Sequence, residues 1–242
     1  MPVSATAIPC LSDNYAWLLR DAATGTVAVC DPGEAGPAIA ALEAAGGRCD
    51  LILLTHHHDD HIAGVEEVRA RFGAKVVGAA ADAHRLPKLD QALKPGESLK
   101  VGATEGVVID TPGHTVGHIA FHFPEGDVLL CGDTLFSLGC GRLLEGTPAQ
   151  MFQSLRALSA LPEATLVCCG HEYTESNARF ALTVEPGNAA LEARAAEVKA
   201  LRAEGRATVP TTIGQEKAAN PFLRAGDVAR LATIRTGKDN FR

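Results

Sequence analysis

Short apolar runs separated by turn residues fill the first two thirds of the chain. Residues 3–9, 15–20 and 26–30 read as β-strands, with Ser12-Asp13-Asn14 as a turn and Asp31-Pro32-Gly33 ending the third strand. Residues 37–45 are alanine-rich, place Ile39 and Leu42 on one helical face, and stop at Gly46-Gly47. A strand at 51–55 follows, then a helix over 65–72 and a short strand at 75–78. Pro87 and Pro95 make 82–96 a loop with a brief helix. Strands are predicted again at 98–101, 105–110, 118–123 and 127–131. Thr147 as N-cap and Pro148 at the first helical position open a helix over 148–160. After a strand at 165–169 the texture changes, and 175–184, 189–204 and 227–234 read as helices. The pattern therefore predicts an α/β (α+β) chain with two regions, residues 1–170 and a helical C-terminal region at 171–242.

With 242 residues, 46% of them hydrophobic and 21% charged, the chain is globular and holds one substantial domain with room for a smaller appendage. Its apolar runs, such as 51–54 and 128–131, are far too short to span a bilayer. The start, Met1-Pro2-Val3-Ser4, lacks the features of a secretory signal. Seven cysteines, an odd number with no C-x-x-C pair, argue against a disulfide framework and for a reducing cytoplasm. Cys168 and Cys169 sit in a predicted strand and are read as packing residues. A net charge of -7 argues against nucleic acid or an anionic membrane as partner. An anionic small molecule would need local cations. A monomer is expected.

The candidate chemistry begins at Thr55-His56-His57-His58-Asp59-Asp60-His61, fed by an apolar strand that would aim it at one point. Histidine and carboxylate ligands, with no thiolate among them, suit zinc, iron or manganese. Three later strand ends share the design: each delivers an imidazole or carboxylate immediately after a glycine, as Gly113-His114, Gly132-Asp133 and Gly170-His171. Singly, such residues have common structural uses in turns and cores. Jointly, with the cluster at 56–61, they predict a metal site at one rim of a sheet assembly. Spacing alone does not sort the ligands between metals.

The pattern T-H-x-H-x-D-H, with His114, Asp133 and His171 downstream, resembles the metallo-β-lactamase superfamily. That resemblance implies an αββα sandwich with metals at one edge, His56, His58 and His114 holding one and Asp60, His61 and His171 the other. Asp133 would bridge the two. Further stretches are similar to the hydroxyacylglutathione hydrolase (glyoxalase II) family: Gly132-Asp133-Thr134-Leu135-Phe136, Gly139-Cys140-Gly141-Arg142, Cys169-Gly170-His171-Glu172-Tyr173-Thr174, Asn220-Pro221-Phe222-Leu223-Arg224 and the tail from Arg235 through Lys238-Asp239 to Phe241.

The closer resemblance implies two divalent ions, zinc foremost with iron or manganese as alternatives. It also implies hydrolysis of an S-acylglutathione thioester, the second step of methylglyoxal detoxification, with Asp60 and Asp133 as ligands orienting a bridging hydroxide. Substrate would be held by Arg142, Tyr173, Arg235 and Lys238. Two departures stand out, because the family commonly carries lysine where Arg142 stands and tyrosine where Leu144 stands. Asp31, closing a strand, is a candidate to fix the tautomer of a ligand imidazole. His57 and Asp59 are read as exposed spacers, His118 and His122 as supporting or core residues of one strand face, and His84 has no role. A competing reading on the same motif is a mononuclear iron dioxygenase acting on glutathione persulfide.

Overall fold

A strand with one wet face alternates apolar and polar residues; the central strands here, at 27–30, 51–53 and 128–132, carry no polar side chain, which requires cover on both sides. The computed structural model, which describes residues 2–241, supplies that cover. Strands β1 (Val3–Cys10), β2 (Asn14–Asp21), β3 (Val27–Cys30), β4 (Leu51–Leu53), β5 (Lys75–Ala79) and β6 (Gln91–Leu93) form one six-stranded sheet in sequence order. Trp17, Leu19, Ala28, Cys30, Leu53 and Val77 enter the core shared with a second sheet. Their neighbours Ala16, Leu18, Val27, Val29, Ile52 and Val76 pack on the other face with Ala38, Leu42, Val65 and Val68. The last four belong to helices α1 (Ala35–Ala44) and α3 (Val65–Phe72), between which lies the single turn α2 (Asp59–Ile62).

The second half of the chain adds β7 (Ser98–Val101), β8 (Thr104–Asp110), β9 (Ile119–Phe123), β10 (Val128–Gly132), the hairpin strands β11 (Leu135–Phe136) and β12 (Gly139–Cys140), β13 (Leu166–Cys169) and β14 (Thr211–Thr212). The second six-stranded sheet runs β14-β13-β10-β9-β8-β7. Helices α4 (Pro148–Ser159), α5 (Thr174–Val184), α6 (Ala189–Ala203), α7 (Ile213–Ala219) and α8 (Val228–Asp239) complete the chain. Val108, Phe121, Phe123 and Leu130 share one face of this sheet and meet the first sheet in the shared core, and Trp17 Nε1 donates across it to the Cys169 carbonyl at 2.9 Å. The result is the expected αββα sandwich. Among the described residues, no helix is long and apolar enough to cross a membrane.

Strand direction places the site. Both β8 and β10 are antiparallel to β9, and β13 is parallel to β10, so their carboxyl ends share one edge. In the other sheet β3 and β4 are parallel and end together.

Several elements differ from the sequence reading. Residues 82–96 hold strand β6 where a loop with a helix was predicted, and a 3-10 turn, Ala80–Asp82, precedes them. Helix α8 continues to Asp239 rather than stopping near Ile234, because Arg235 is buried through polar contacts that apolar periodicity cannot register. Helix α7 and the β11–β12 hairpin were not predicted; strands of two residues are too short for a pattern. The predicted start of α4 holds, with Thr147 and Gln150 forming a reciprocal capping box.

Candidate metal centre

The loops leaving β4, β8, β10 and β13 converge at the shared edge. His56 Nε2 and His114 Nε2 lie 3.1 Å and 3.0 Å from His58 Nδ1, and the ligand atoms of the three rings fall within 4.8 Å of one another. Asp60, His61 and His171 form a second such group, with Asp60 Oδ2 3.7 Å from His61 Nε2 and 3.4 Å from His171 Nε2. Asp133 faces both groups: Oδ2 is 3.5 Å from His114 Nε2 and 3.2 Å from His171 Nε2, while Oδ1 is 3.4 Å from His61 Nε2. Close approach of these loops depends on Gly170, where a Cβ would run into the Asp133 carboxylate and the His61 ring.

The outer partners of the rings decide which nitrogen faces inward. His114 Nδ1 lies 2.8 Å from the Arg142 carbonyl oxygen, to which it can only donate. His61 Nδ1 donates to Asp31 Oδ2 at 3.1 Å, and His171 Nδ1 to Asp13 Oδ1 at 3.0 Å. Thr55 Oγ1 donates to Asp31 Oδ2 at 2.6 Å, which leaves it to accept from His56 Nδ1 at 3.0 Å. With these four Nδ1 atoms donating outward, His56, His61, His114 and His171 turn Nε2 into the cluster, and His58 faces inward with Nδ1. Lone pairs this close repel unless a cation lies among them. Consistently, His61 Nε2 and Asp133 Oδ1 are buried yet make no hydrogen bond among the described residues. The donor set of imidazole nitrogen and carboxylate oxygen fits divalent zinc, iron or manganese.

Electrostatics divides the centre in two. Burial, followed by its histidine neighbours His61 and His118, pushes the His56 pKa well down; burial and then His114 lower that of His58. Those rings stay neutral, as ligands must. In the other half burial opposes the Asp133 carboxylate, but His61 and His171 outweigh it and hold its pKa well below the usual range. Burial likewise opposes charge on His171, yet Asp133 and Asp60 carry its pKa up to about 10. This half stabilises positive charge between its carboxylates, and a metal cation binding there would take the place of the His171 proton.

A cavity of about 480 Å³ opens beside His114 and Asp133, and Phe136, Leu144, Arg142, Tyr173, Arg235 and Lys238 are among its walls. Tyr173 lies flat on His171, ring centroids 4.5 Å apart at 5°. Lys238 Nζ donates to Ser176 O at 3.0 Å and Oγ at 2.8 Å. Arg235 is buried beneath the wall, donating to Cys140 O at 2.7 Å and to Asp239 Oδ1 at 3.1 Å, over the Phe222 ring. Arg142 is exposed, with Nε 3.5 Å from the same Asp239 oxygen. An acidic chain thus lines this one cavity with cations.

All of the sequence-predicted metal candidates meet here, and the four predicted substrate residues line the adjoining cavity. One expectation fails. His57 is not an exposed spacer: its side chain is 16% exposed, with Nδ1 3.1 Å from Asp82 Oδ2 and Nε2 3.6 Å from Glu145 Oε1. The surface position of Asp59 agrees with its reading, and His84 is also exposed. His118 supports the site, accepting from the Asp133 N–H at 3.1 Å and stacking on His56 at 4.8 Å, whereas His122 pairs with Leu129 and Val107 inside the sheet. Sequence reasoning missed Asp13, Asn14, Thr55 and Asp239. Asn14 Nδ2 donates to Asp60 Oδ2 at 2.9 Å, and the only sequence signal for it or Asp13 is a turn before β2.

The sandwich and the paired ligand groups at its edge are those of a metallo-β-lactamase-fold hydrolase, and residues 12–171 match the family model for the metallo-beta-lactamase superfamily. Residues 172–241 match the model for the hydroxyacylglutathione hydrolase C-terminus. The chain belongs to the hydroxyacylglutathione hydrolase family. It is 57% identical over 234 residues to the hydroxyacylglutathione hydrolase of Cereibacter sphaeroides, covering 97% of this chain and 92% of that one. The Acidiphilium cryptum hydroxyacylglutathione hydrolase is 58% identical over 236 residues, covering 98% and 96%. Among solved structures, ETHE1 from Myxococcus xanthus superposes with a TM-score of 0.71 at 26% identity, over 98% of this chain and 90% of that one. TTHA1623 in a di-iron-bound form superposes with a TM-score of 0.62 at 27% identity, over 90% and 99%.

Proposed function

We propose that this chain hydrolyses S-(2-hydroxyacyl)glutathione thioesters, converting S-D-lactoylglutathione to glutathione and D-lactate, with two divalent cations at the centre described above. His56, His58 and His114 would hold one, Asp60, His61 and His171 the other, and Asp133 both. Zinc is the leading candidate, and iron and manganese suit the same donors. The observation that carries the reading is the position of Asp133, one carboxylate facing two complete donor groups beside a cation-lined cavity. Two-metal hydrolytic sites need such a shared ligand to keep the ions about 3.5–4 Å apart.

Cations bound there supply a water acidified towards neutral pH and a positive centre for the thioester carbonyl oxygen. The residues do the rest. Asn14 fixes the Asp60 carboxylate through the bonds to its side chain and to its backbone carbonyl, 2.9 Å and 3.2 Å long. Arg142, Arg235 and Lys238 draw in the carboxylates of the glutathionyl group. Burial, then the charges of Asp13, Asp133 and Asp60, push the Tyr173 hydroxyl pKa up, so it keeps its proton for donation. The leaving thiolate has a conjugate-acid pKa of about 8.5 and departs without a general acid.

Residues 1–170 form the catalytic region and 171–242 the glutathione-binding region of the reading. One chain supplies every residue, so a monomer suffices. Cysteines that are all free and buried suit the cytoplasm. The test is S-D-lactoylglutathione hydrolysis by the purified protein, with metal per chain measured in the same sample. Turnover with two metals per chain is expected. Two bound metals without turnover would overturn the assignment, and oxygen uptake with glutathione persulfide at one iron per chain would replace it.

A further inference from the structure

The β11–β12 hairpin leaves directly from Asp133, turns at Ser137-Leu138, and leads to Arg142, whose carbonyl accepts the hydrogen bond from His114 Nδ1. It is poorly equipped to hold itself. Each strand has two residues, and Leu138 sits at φ 58°, a conformation leucine seldom adopts. Its backbone polar groups are instead met by side chains from the C-terminal helices. Asn220 Nδ2 donates to Phe136 O at 3.1 Å and to Gly139 O at 2.9 Å. Asn177 Nδ2 donates to Ser137 O at 3.1 Å. The Leu138 N–H donates to Glu216 Oε2 at 2.8 Å, and Arg235 reaches Cys140 O.

From 136 to 140, then, every residue has a backbone group held by a side chain past residue 171. Asn177, Glu216 and Asn220 are all buried. Glu216 also accepts from Thr211 Oγ1 at 2.8 Å and lies 2.9 Å from Asn220 Nδ2, which makes the clamp one network. At the base of the hairpin the Gly141 N–H donates to Thr134 O at 3.2 Å, and a Cβ on Gly141 would run into the Asp133 carbonyl.

We infer that Glu216, Asn220 and Asn177 are positioning residues for the metal centre. By holding the hairpin they fix Asp133 at one end and, at the other, the Arg142 carbonyl that sets the His114 tautomer. The C-terminal region is then part of what retains the metals, and not only a surface for substrate. Neither Glu216 nor Asn220 lines the cavity, so their loss acts on metal retention and kcat rather than on KM. The inference rests on the proposed role of Asp133 as shared ligand.

The experiment is chelator competition on the purified full chain, with metal per chain, a thermal melt and steady-state kinetics for each variant. Glu216→Ala and Asn220→Asp are expected to weaken metal retention about 10–100-fold, the usual loss when a ligand's support is removed. At saturating metal their KM stays at the wild-type value. Glu216→Gln rescues, since its amide oxygen still accepts from Leu138 and its NH2 donates to the Thr211 hydroxyl. Val198→Ala, in the buried face of α6, lowers the Tm and leaves metal retention alone. Wild-type retention in both clamp variants overturns the inference. So does equal loss in Val198→Ala at matched Tm, because stability alone would then explain it. Should Glu216→Ala not fold, Asn177→Ala carries the metal-retention arm alone, since Asn177 lines the cavity and its KM is free to change. Two metals retained by Asp133→Ala would instead refute the shared-ligand reading, whatever the clamp variants do.

Discussion

Asp31 and His61 meet side chain to side chain, His61 Nδ1 donating to Asp31 Oδ2 at 3.1 Å in the buried floor of the centre. The same carboxylate accepts from the Thr55 N–H at 2.9 Å and from the Thr55 hydroxyl, which orients His56. One residue thus sets a ring in each ligand group. Asp31→Ala is expected to weaken metal retention about 10–100-fold, the range for loss of such outer partners. It should lower kcat by depleting metal and be partly rescued by added zinc. Unchanged retention in chelator competition would remove Asp31 from this role.

Asp133→Ala should be more severe, because Asp133 faces both groups while every other candidate faces one. Loss of both metals and of turnover is expected. Metal analysis after gel filtration, alongside the thioester assay, checks it.

The departure at Leu144 gives a prediction of opposite sign. Leu144 is 59% exposed at the cavity wall and offers substrate no hydrogen bond. Leu144→Tyr adds a hydroxyl where the family commonly has one. A hydrogen bond of about 0.5–1.5 kcal/mol would lower KM about two- to tenfold. A KM that stays constant or rises would show that the ring does not reach the peptide.

Three of the four strand ends were legible because the ligand there is announced locally: an apolar run, a glycine, then a histidine or aspartate. His114, Asp133 and His171 all obey that rule, and sheet direction alone brings them to one edge. Their outer partners obey no local rule. Asp13 reaches His171 from a turn before β2, and a turn needs aspartate for its own reasons. His57 looked like a spacer because its partners, Asp82 and Glu145, are distant in sequence. The hairpin after Asp133 was invisible for a similar reason, since side chains from α5, α7 and α8 hold it rather than its own strands. Arg235 and Lys238 were found through family likeness; apolar periodicity ended α8 before reaching them.

Lys238 allows a test by pH. Burial, then the neighbouring Arg235 and Arg179 charges, lower its pKa from the ordinary lysine range to about 8. Below that pH the ammonium is intact and can hold a substrate carboxylate; above it the free enzyme carries a neutral amine. KM should therefore rise as pH climbs through about 8, while kcat follows the nucleophile and need not share the inflection. Lys238→Ala should raise KM about ten- to a hundredfold at pH 7, the worth of a hydrogen bond to a charged group, and flatten the KM profile across that interval. Lys238→Arg should keep its charge to far higher pH and move the rise out of range. Initial rates from pH 6.5 to 9 with metal held saturating check all three, and a wild-type KM that stays flat through pH 8 would take Lys238 out of the binding site.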